Sequence, residues 1–444
     1  MKNFFSTLMQ IWKIEDLRNR IIVTLSLILI YRVGSFIILP GINAEALANA
    51  NVGGGGLGEI LALFTGGAFS RASVFALGIM PYISASIIMQ LMGVAVPAIQ
   101  KMQKEGESGR QKISQYTRFL TIIITGFQAP GYLSTTVVNV PGAVANPSTF
   151  WWASSIIILT SATLFVMWLG ERITEKGIGN GISLIIMIGI ISRLPAAFIQ
   201  EFIGRIDGAG GMVMLLIELV ILVLIIAGTV ALIQAVRRVP VQYAKRISGI
   251  QGLGSGARQF IPLKVNAAGV MPIIFAQAIM FVPLYIAQAV DIESSVLMEL
   301  GNIGGIYYNI LFALVIILFT YFYTAITVNP TQMADDLKRN GGFVPGVKPG
   351  KATGEFLDVI ISRITLPGSL FTAVVAITPA IAMAVGIKQG FAIFYGGTSL
   401  LIIVGVVLDT LQQIESHLLM RHYDGLMKSG KIRGRSASPV SMAG

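Results

Sequence analysis

The sequence predicts an all-α membrane protein of ten transmembrane helices, and three observations carry that prediction. Hydrophobic residues make up 54% of the 444-residue chain and charged residues only 12%, against about 25% charged in a typical soluble domain. Ten apolar segments come near the ~20 residues that a helix needs to cross a hydrocarbon core. Of the 32 Lys and Arg residues, 27 lie in the two tails and in alternate connections of one face, a positive-inside pattern that puts both termini in the cytosol.

The spans fall near 21–40, 72–96, 117–138, 151–170, 182–199, 212–236, 267–290, 306–328, 366–387 and 391–411. The leading segment, MKNFFSTLMQIWKIEDLRNR, has no apolar core followed by a small-residue cleavage site, so it reads as an amphipathic cytosolic helix. Pro81, Pro130, Pro272 and Pro379 lie within spans, which membrane helices tolerate where neighbours satisfy the freed backbone groups. The basic face comprises 1–20, 97–118, 171–181, 237–264, 329–365 and 412–444. The other face has only Arg71, Arg193, Arg205 and Lys388 against Glu45, Glu59, Glu201, Asp207, Asp291, Glu293 and Glu299, and Arg32 lies inside the first span. Ten spans divide into two fives, and an odd number per half makes the halves inverted with respect to each other.

Three connections stand out. On the outer face, 41–71 holds the flexible run Gly53–Gly56 and then a short apolar stretch over 58–65, too short to span. Such a stretch either lies at the interface or folds back into the protein, and Gly66 and Gly67 would let it hinge. On the basic face, 237–264 carries six basic residues and no acid, and 329–365 is rich in Gly and Pro. A solvated loop needs only a few charges beside each span. The excess suits docking to an acidic partner or RNA.

The missing chemistry is as informative. Without cysteine there are no thiolate metal sites, disulfides or cysteine nucleophiles. No GxxxxGK[ST], HExxH or GxSxG motif occurs, and the acids form no enzyme-like constellation. Ion-driven transporters keep acids or His inside their spans, whereas here only Arg32, Glu218 and Asp409 lie within spans and His417 and His422 lie in the tail. Neither nucleotide hydrolysis, proton relay nor a resident cofactor is expected. The second span places Ile79 and Ile83 one turn apart, with Ser84, Ser86 and Gln90 nearby. That pattern fits ordinary helix packing or an apolar, pore-facing stripe that gates by dewetting. On these residues alone a channel and a solute transporter both stay open, the transporter lacking its ionisable midplane site. An intramembrane enzyme lacks its nucleophile.

Longer strings narrow the choice. RVGSFIILPGI (32–42), GGAFSRASVFALGIMPYISASIIMQLM (66–92), KEGESGRQKISQYTR (104–118), WLGERITEKGIGNGIS (168–183), YAKRISG (243–249), IPLKVNAAGVMPIIFA (261–276), NPTQMADDLKRNGGFVPGVKPG (329–350) and FYGGTSLLIIVGVVLDT (394–410) together resemble the SecY family of protein-translocation channels, in its bacterial form. The resemblance implies a clamshell of two halves, 1–205 and 206–444, around an hourglass pore in the bacterial plasma membrane. It implies a pore ring of Ile79, Ile83, Ile186, Ile274 and Ile402. It implies a plug near 58–70 that includes Leu57, Gly58, Glu59, Ile60, Leu61, Leu63, Phe64, Gly66 and Gly67. A lateral gate is expected between the second and seventh spans, with Ser84, Gln90 and Gln277 as polar gate residues. Arg237, Arg238, Lys245, Arg246, Lys338, Arg339 and Lys348 are expected to dock the SecA motor ATPase or the ribosome. The other implied partners are SecE, SecG, signal sequences, nascent membrane proteins and anionic lipids. Two departures bear on docking. VPGVKPG has Lys348 where many relatives have Arg, which keeps the charge but loses the bidentate fork. Ser248, Gly249, Ile250 and Gln251 follow YAKR where many relatives carry another basic pair.

Overall fold

The computed structural model describes residues 12, 14–49, 62, 64–144, 146–207, 211–243, 259–277, 279–280 and 304–428. Among them, six helices are long and apolar enough to cross a membrane: Thr149–Lys176, Gly181–Ile206, Gly211–Gln234, Ile306–Arg339, Lys351–Ala384 and Gly397–Leu418. These match the predicted fourth, fifth, sixth, eighth, ninth and tenth spans. The remaining spans are less regular, each for a physical reason.

Helix α1 (Glu15–Gly34) is the first span, and its apolar run is interrupted by Arg18, Arg20 and Arg32. The short helix α2 (Ala44–Asn49) follows in the outer connection. The second span departs from the prediction of a helix over 72–96. Residues 65–79 form a series of turns, and helix α3 (Met80–Ala95) starts only at the Ile79 cap. Pro81 sits in the first turn of α3, where a missing N–H costs nothing and the fixed φ favours helix initiation. Helix α4 (Pro97–Lys104) then bends away from α3 by 104°.

The third span is helix α5 (Glu107–Tyr132), extended by a π-turn over Leu133–Val138 just after Pro130. Its buried face is threonine-rich rather than aliphatic. The Thr117, Thr121 and Thr125 hydroxyls each donate to the carbonyl four residues back, so the polar groups are satisfied within the helix.

Helix α6 (Thr149–Lys176) is capped by Ser148, whose Oγ accepts from Trp151 N at 3.2 Å. Asn180 caps α7 (Gly181–Ile191) by accepting from Ile182 N and Ser183 N. This is the structural meaning of the string GIGNGIS. Helix α8 (Leu194–Asp207) continues the fifth span, and α9 (Gly211–Gln234) forms the sixth. Of the seventh span, residues 271–277 are helical, and much of the rest lies outside the described residues.

The basic loops contain strands, which the loop prediction missed. β1 (Val236–Tyr243) pairs antiparallel with β2 (Gln259–Lys264), from Val236 opposite Lys264 to Val241 opposite Gln259. Helix α10 (Ile306–Thr327) is the eighth span, and α11 (Pro330–Arg339) follows it, capped by Asn329. β3 (Gly342–Phe343) pairs with the other edge of β1. One three-stranded sheet, in the order β2–β1–β3, therefore joins both basic loops. Its signal was the alternation in VRRVPVQY, in which Val239 and Val241 turn inward. They pack with Leu263, Leu337, Val344, Leu357 and Ile361 in a small core beside the sheet.

Helix α12 (Lys351–Ala384) runs on from this core as the ninth span, so it starts well before the predicted 366. The tenth span is approached through α13 (Gln389–Ala392) and a 3-10 turn over Ile393–Tyr395. Its long helix α14 (Gly397–Lys428) begins after Gly396 rather than at 391.

Leu357 is fully buried in this small core. Truncating such a leucine costs about 2–5 kcal/mol. The Leu357→Ala variant is expected to loosen the sheet and speed tryptic cleavage after Arg237 and Arg238. An unchanged cleavage rate would show that this core does not hold the sheet.

Candidate functional site: an apolar constriction and the segment seated against it

The irregular residues 64–79 are wedged between two apolar clusters. Phe64, Phe75 and Ile79 enter one with Tyr31, Val166, Ile185, Ile186, Ile190 and Ile402. Phe69, Ala72, Ala76 and Leu77 enter the other with Leu39, Tyr132, Leu133 and Leu159. Inside a membrane protein the polar backbone of such a segment must find partners within the chain. Leu39 N donates to Ala72 O at 3.0 Å, Val74 N to Ile37 O at 2.8 Å and Ser73 N to Ala68 O at 3.1 Å. The buried Tyr132 hydroxyl donates to Phe69 O at 2.8 Å, and the Thr65 hydroxyl accepts from Phe69 N at 3.1 Å.

The turn itself depends on left-handed backbone. Gly66 and Gly67 have φ of 64° and 82°, and Ala72, which has a side chain, is held at 46°. A non-glycine residue there costs on the order of 1–3 kcal/mol, strain of a kind that clusters at functional sites. The turn rests on Gly189 of α7. A Cβ at that position would lie 2.4 Å from Phe64 O and 3.3 Å from Gly66 N, so only glycine admits this approach. Arg71 Nη2 donates to Gly66 O at 3.2 Å, and its guanidinium lies 4.4 Å from the centre of the Phe36 ring.

The five isoleucines expected in a ring come from four spans. Ile79 caps α3, and Ile83 lies one turn on, its N donating to Ile79 O at 3.1 Å. Ile186 lies on α7 and Ile402 on α14. Ile79, Ile186 and Ile402 are buried members of one cluster, and the half-buried Ile83 packs against it. Ile274 is half-buried on the helical residues 271–277 and is not a member of that cluster. Its neighbour Ile273 belongs to a third cluster with Leu400, Leu401 and Val404, and Val270 touches both. The four that share this cluster are aliphatic and carry no hydrogen-bonding side-chain group, so burial and dispersion alone hold them there.

Of the expected plug residues, Phe64, Gly66 and Gly67 occupy this seat. Leu57, Gly58, Glu59, Ile60, Leu61 and Leu63 lie outside the described residues. Of the expected gate residues, Ser84 and Gln90 are half-buried on α3 and Gln277 is buried. Gln90 Nε2 donates to Ser86 Oγ at 3.3 Å within its own helix. Arg237 and Arg238 are exposed on β1, Lys338 and Arg339 at the end of α11, and Lys348 beyond β3, while Lys245 and Arg246 lie outside the described residues. The sequence reading missed Gly189 and Tyr132 as the seat of the turn. A lone glycine in the run LIIMIGII was the available signal for the first.

Six apolar helices long enough to span, with a buried aliphatic cluster and an irregular segment folded against it, define a polytopic membrane protein. Comparison with known proteins narrows this. The SecY family model matches residues 73–411. The protein named "Protein translocase subunit SecY" from Halalkalibacterium halodurans is 44% identical over 439 residues, covering 96% of this chain and 100% of its own. Its namesake from Thermus thermophilus is 42% identical over 450 residues, covering 98% and 100%. Among solved structures, the one described as "The structure of a protein conducting channel" aligns with a TM-score of 0.61 at 17% identity, covering 90% of this chain and 92% of that one. Another, described by the plug domain of the SecY protein stabilising a closed translocation channel, aligns at 0.62 and 19%, with the same coverage. The chain belongs to the SecY family.

Replacing Ile83, Ile186 and Ile402 together with Gly is expected to make the resting channel leak ions, read as conductance in a planar bilayer. Unchanged conductance would remove these side chains from the seal.

Proposed function

We propose that this chain forms a protein-conducting channel that passes signal-bearing polypeptides across the plasma membrane and releases transmembrane segments sideways into lipid. The observation that carries the reading is the convergence of Ile79, Ile83, Ile186 and Ile402, from three spans, on the buried turn at 64–67. Branched aliphatic side chains suit a gasket: they close on an extended backbone, exclude water and ions, and offer no polar group that would hold the cargo. Ile274, on the seventh span, completes the ring as that span shifts. The segment near 58–70 is the plug, and its turn at Phe64–Gly66, which lies against Gly189, leaves that seat when cargo enters.

In this reading 1–205 and 206–444 are the two halves, with both termini in the cytosol as the basic loops require. Ser84, Gln90 and Gln277 line a lateral gate between the second and seventh spans. A cargo segment leaves through the gate when its burial in lipid, about −0.6 kcal/mol for a central Leu, outweighs about +3 for a central Lys or Asp.

The channel supplies no energy of its own, so a motor or a translating ribosome drives it. Solved relatives include Sec61 in a canine ribosome–channel complex and a yeast Ssh1 complex bound to an 80S ribosome. Here Arg237 and Arg238 are exposed on β1, Lys338 and Arg339 at the end of α11 and Lys348 after β3, in the two basic loops that the sheet joins. Such a surface suits RNA phosphates through counterion release, and it suits an acidic face of SecA. SecE and SecG are the companion subunits, and anionic lipids balance the basic cytosolic face.

The test is reconstitution with SecE and SecG in liposomes, with SecA, ATP and a signal-bearing preprotein, scored as protease-protected cargo. ATP-dependent protection that requires the signal is expected. No protection from an intact complex with active motor would return the solute-transporter reading. In the same assay, Arg246→Glu with Lys348→Glu is expected to reduce SecA-driven protection while assembly with SecE persists. Normal protection would make the loops topological only.

A further inference from the structure

Glu218 is one of two acids that the sequence placed within a span without a use, and the structure gives it neighbours. It lies on α9 with its side chain 2% exposed, and its Oε1 accepts from Arg205 Nη2 of α8. Arg205 Nε lies 2.9 Å from Oε1 of Glu201, one turn earlier on α8 and also 2% exposed. The two remaining contacts reach the turn between α12 and α13. Arg205 Nη2 donates to Gly386 O at 3.0 Å, and Lys388 N donates to Glu201 Oε2 at 2.9 Å. Lys388 Nζ donates to Gln200 O at 2.9 Å and brings the local charge to neutrality. Its stem lies across Gly204, where a Cβ would be 2.4 Å from Nζ.

The turn held in this way leads through Phe391 and Tyr395 to Gly397, where α14 with Ile402 begins. Helix α8 continues the span that carries Ile186. Phe198 of α8 packs on Phe391 with ring centres 5.9 Å apart, and Phe391 on Tyr395 at 5.5 Å. The buried charges therefore join the outer ends of the two segments that bring Ile186 and Ile402 together. Two buried carboxylates and a guanidinium are a poor source of stability in a membrane protein, because desolvation offsets their attraction. What such a cluster does supply is direction, since Arg205 reaches Glu201, Glu218 and Gly386 O together only in this arrangement.

We propose that Glu201, Arg205 and Glu218 are positioning residues for the pore: by clamping the 386–388 turn to α8 and α9 they hold Ile402 against Ile186 and keep the resting channel shut. This rests on the channel reading above. Because the chain has no cysteine, nitroxide labels can be placed uniquely at the exposed Ile206 and Val385, beside the clamp. In the complex reconstituted in liposomes, the unsubstituted clamp should give one narrow label–label distance. Arg205→Gln should broaden that distribution and raise resting ion leak several-fold, while signal-dependent translocation stays near that of the parent. Since this change strands two carboxylates and could prevent folding, Glu218→Gln serves as the second variant, keeping the shape and losing one charge; it should broaden the distribution and raise the leak to a smaller extent. Unchanged distance and leak in both variants would overturn the proposal. So would a raised leak with the distance unchanged, which would show that the seal does not depend on the clamped turn. If the unsubstituted complex fails to translocate, the channel reading falls, and the label distances still test the clamp.

Discussion

Irregular backbone cannot stand in lipid, and most of this architecture follows from wrapping one irregular stretch in protein. Residues 64–79 carry a row of peptide groups that no single helix satisfies. The chain answers with carbonyls and N–H groups from 37–39, a tyrosine hydroxyl from α5 and apolar walls from α1, α6 and α7. The late start of α3 and the bare glycine of α7 both serve that seat.

The aliphatic cluster beside the seat is defined by what it lacks. Aliphatic side chains from separate helices close by dispersion and exclusion of water, which are strong in sum and weak at any one contact. A polar ring would seal less well when closed and would bind cargo when open. The directional interactions lie elsewhere, in the buried charges where the fifth and sixth spans meet and in the three-stranded sheet that joins the two basic loops. Sealing and steering are thus assigned to different residues. Truncating an aliphatic side chain and reversing a charge should therefore give different defects.

Much of this was legible in the sequence, for identifiable reasons. Uniformly apolar spans such as Gly211–Gln234 announce themselves by composition, and caps such as Asn180 and Ser148 mark where helices begin. The first and third spans are harder, because arginines interrupt one and self-satisfied threonines the other. Residues 72–79 read as helix because their apolar composition suits one. The breakers Gly66, Gly67, Gly78 and Pro81 outweighed it. The sheet stayed hidden because β3 is two residues long and pairs with β1 across about a hundred residues of chain. The ring residues came from resemblance. Four of them share one cluster through packing between spans that no local pattern records, and Ile274 lies outside it.

The decisive measurement is a contact between the ring and a chain in transit. A photoreactive side chain placed at 402, with a control at the exposed Leu224 of α9, is illuminated while a preprotein is arrested midway through the reconstituted complex. Adducts to the cargo at 402 and none at 224 are expected if the isoleucines close around the moving polypeptide. Equal labelling at the two positions, or none at 402 with cargo shown to be arrested, would contradict that picture and place the path elsewhere.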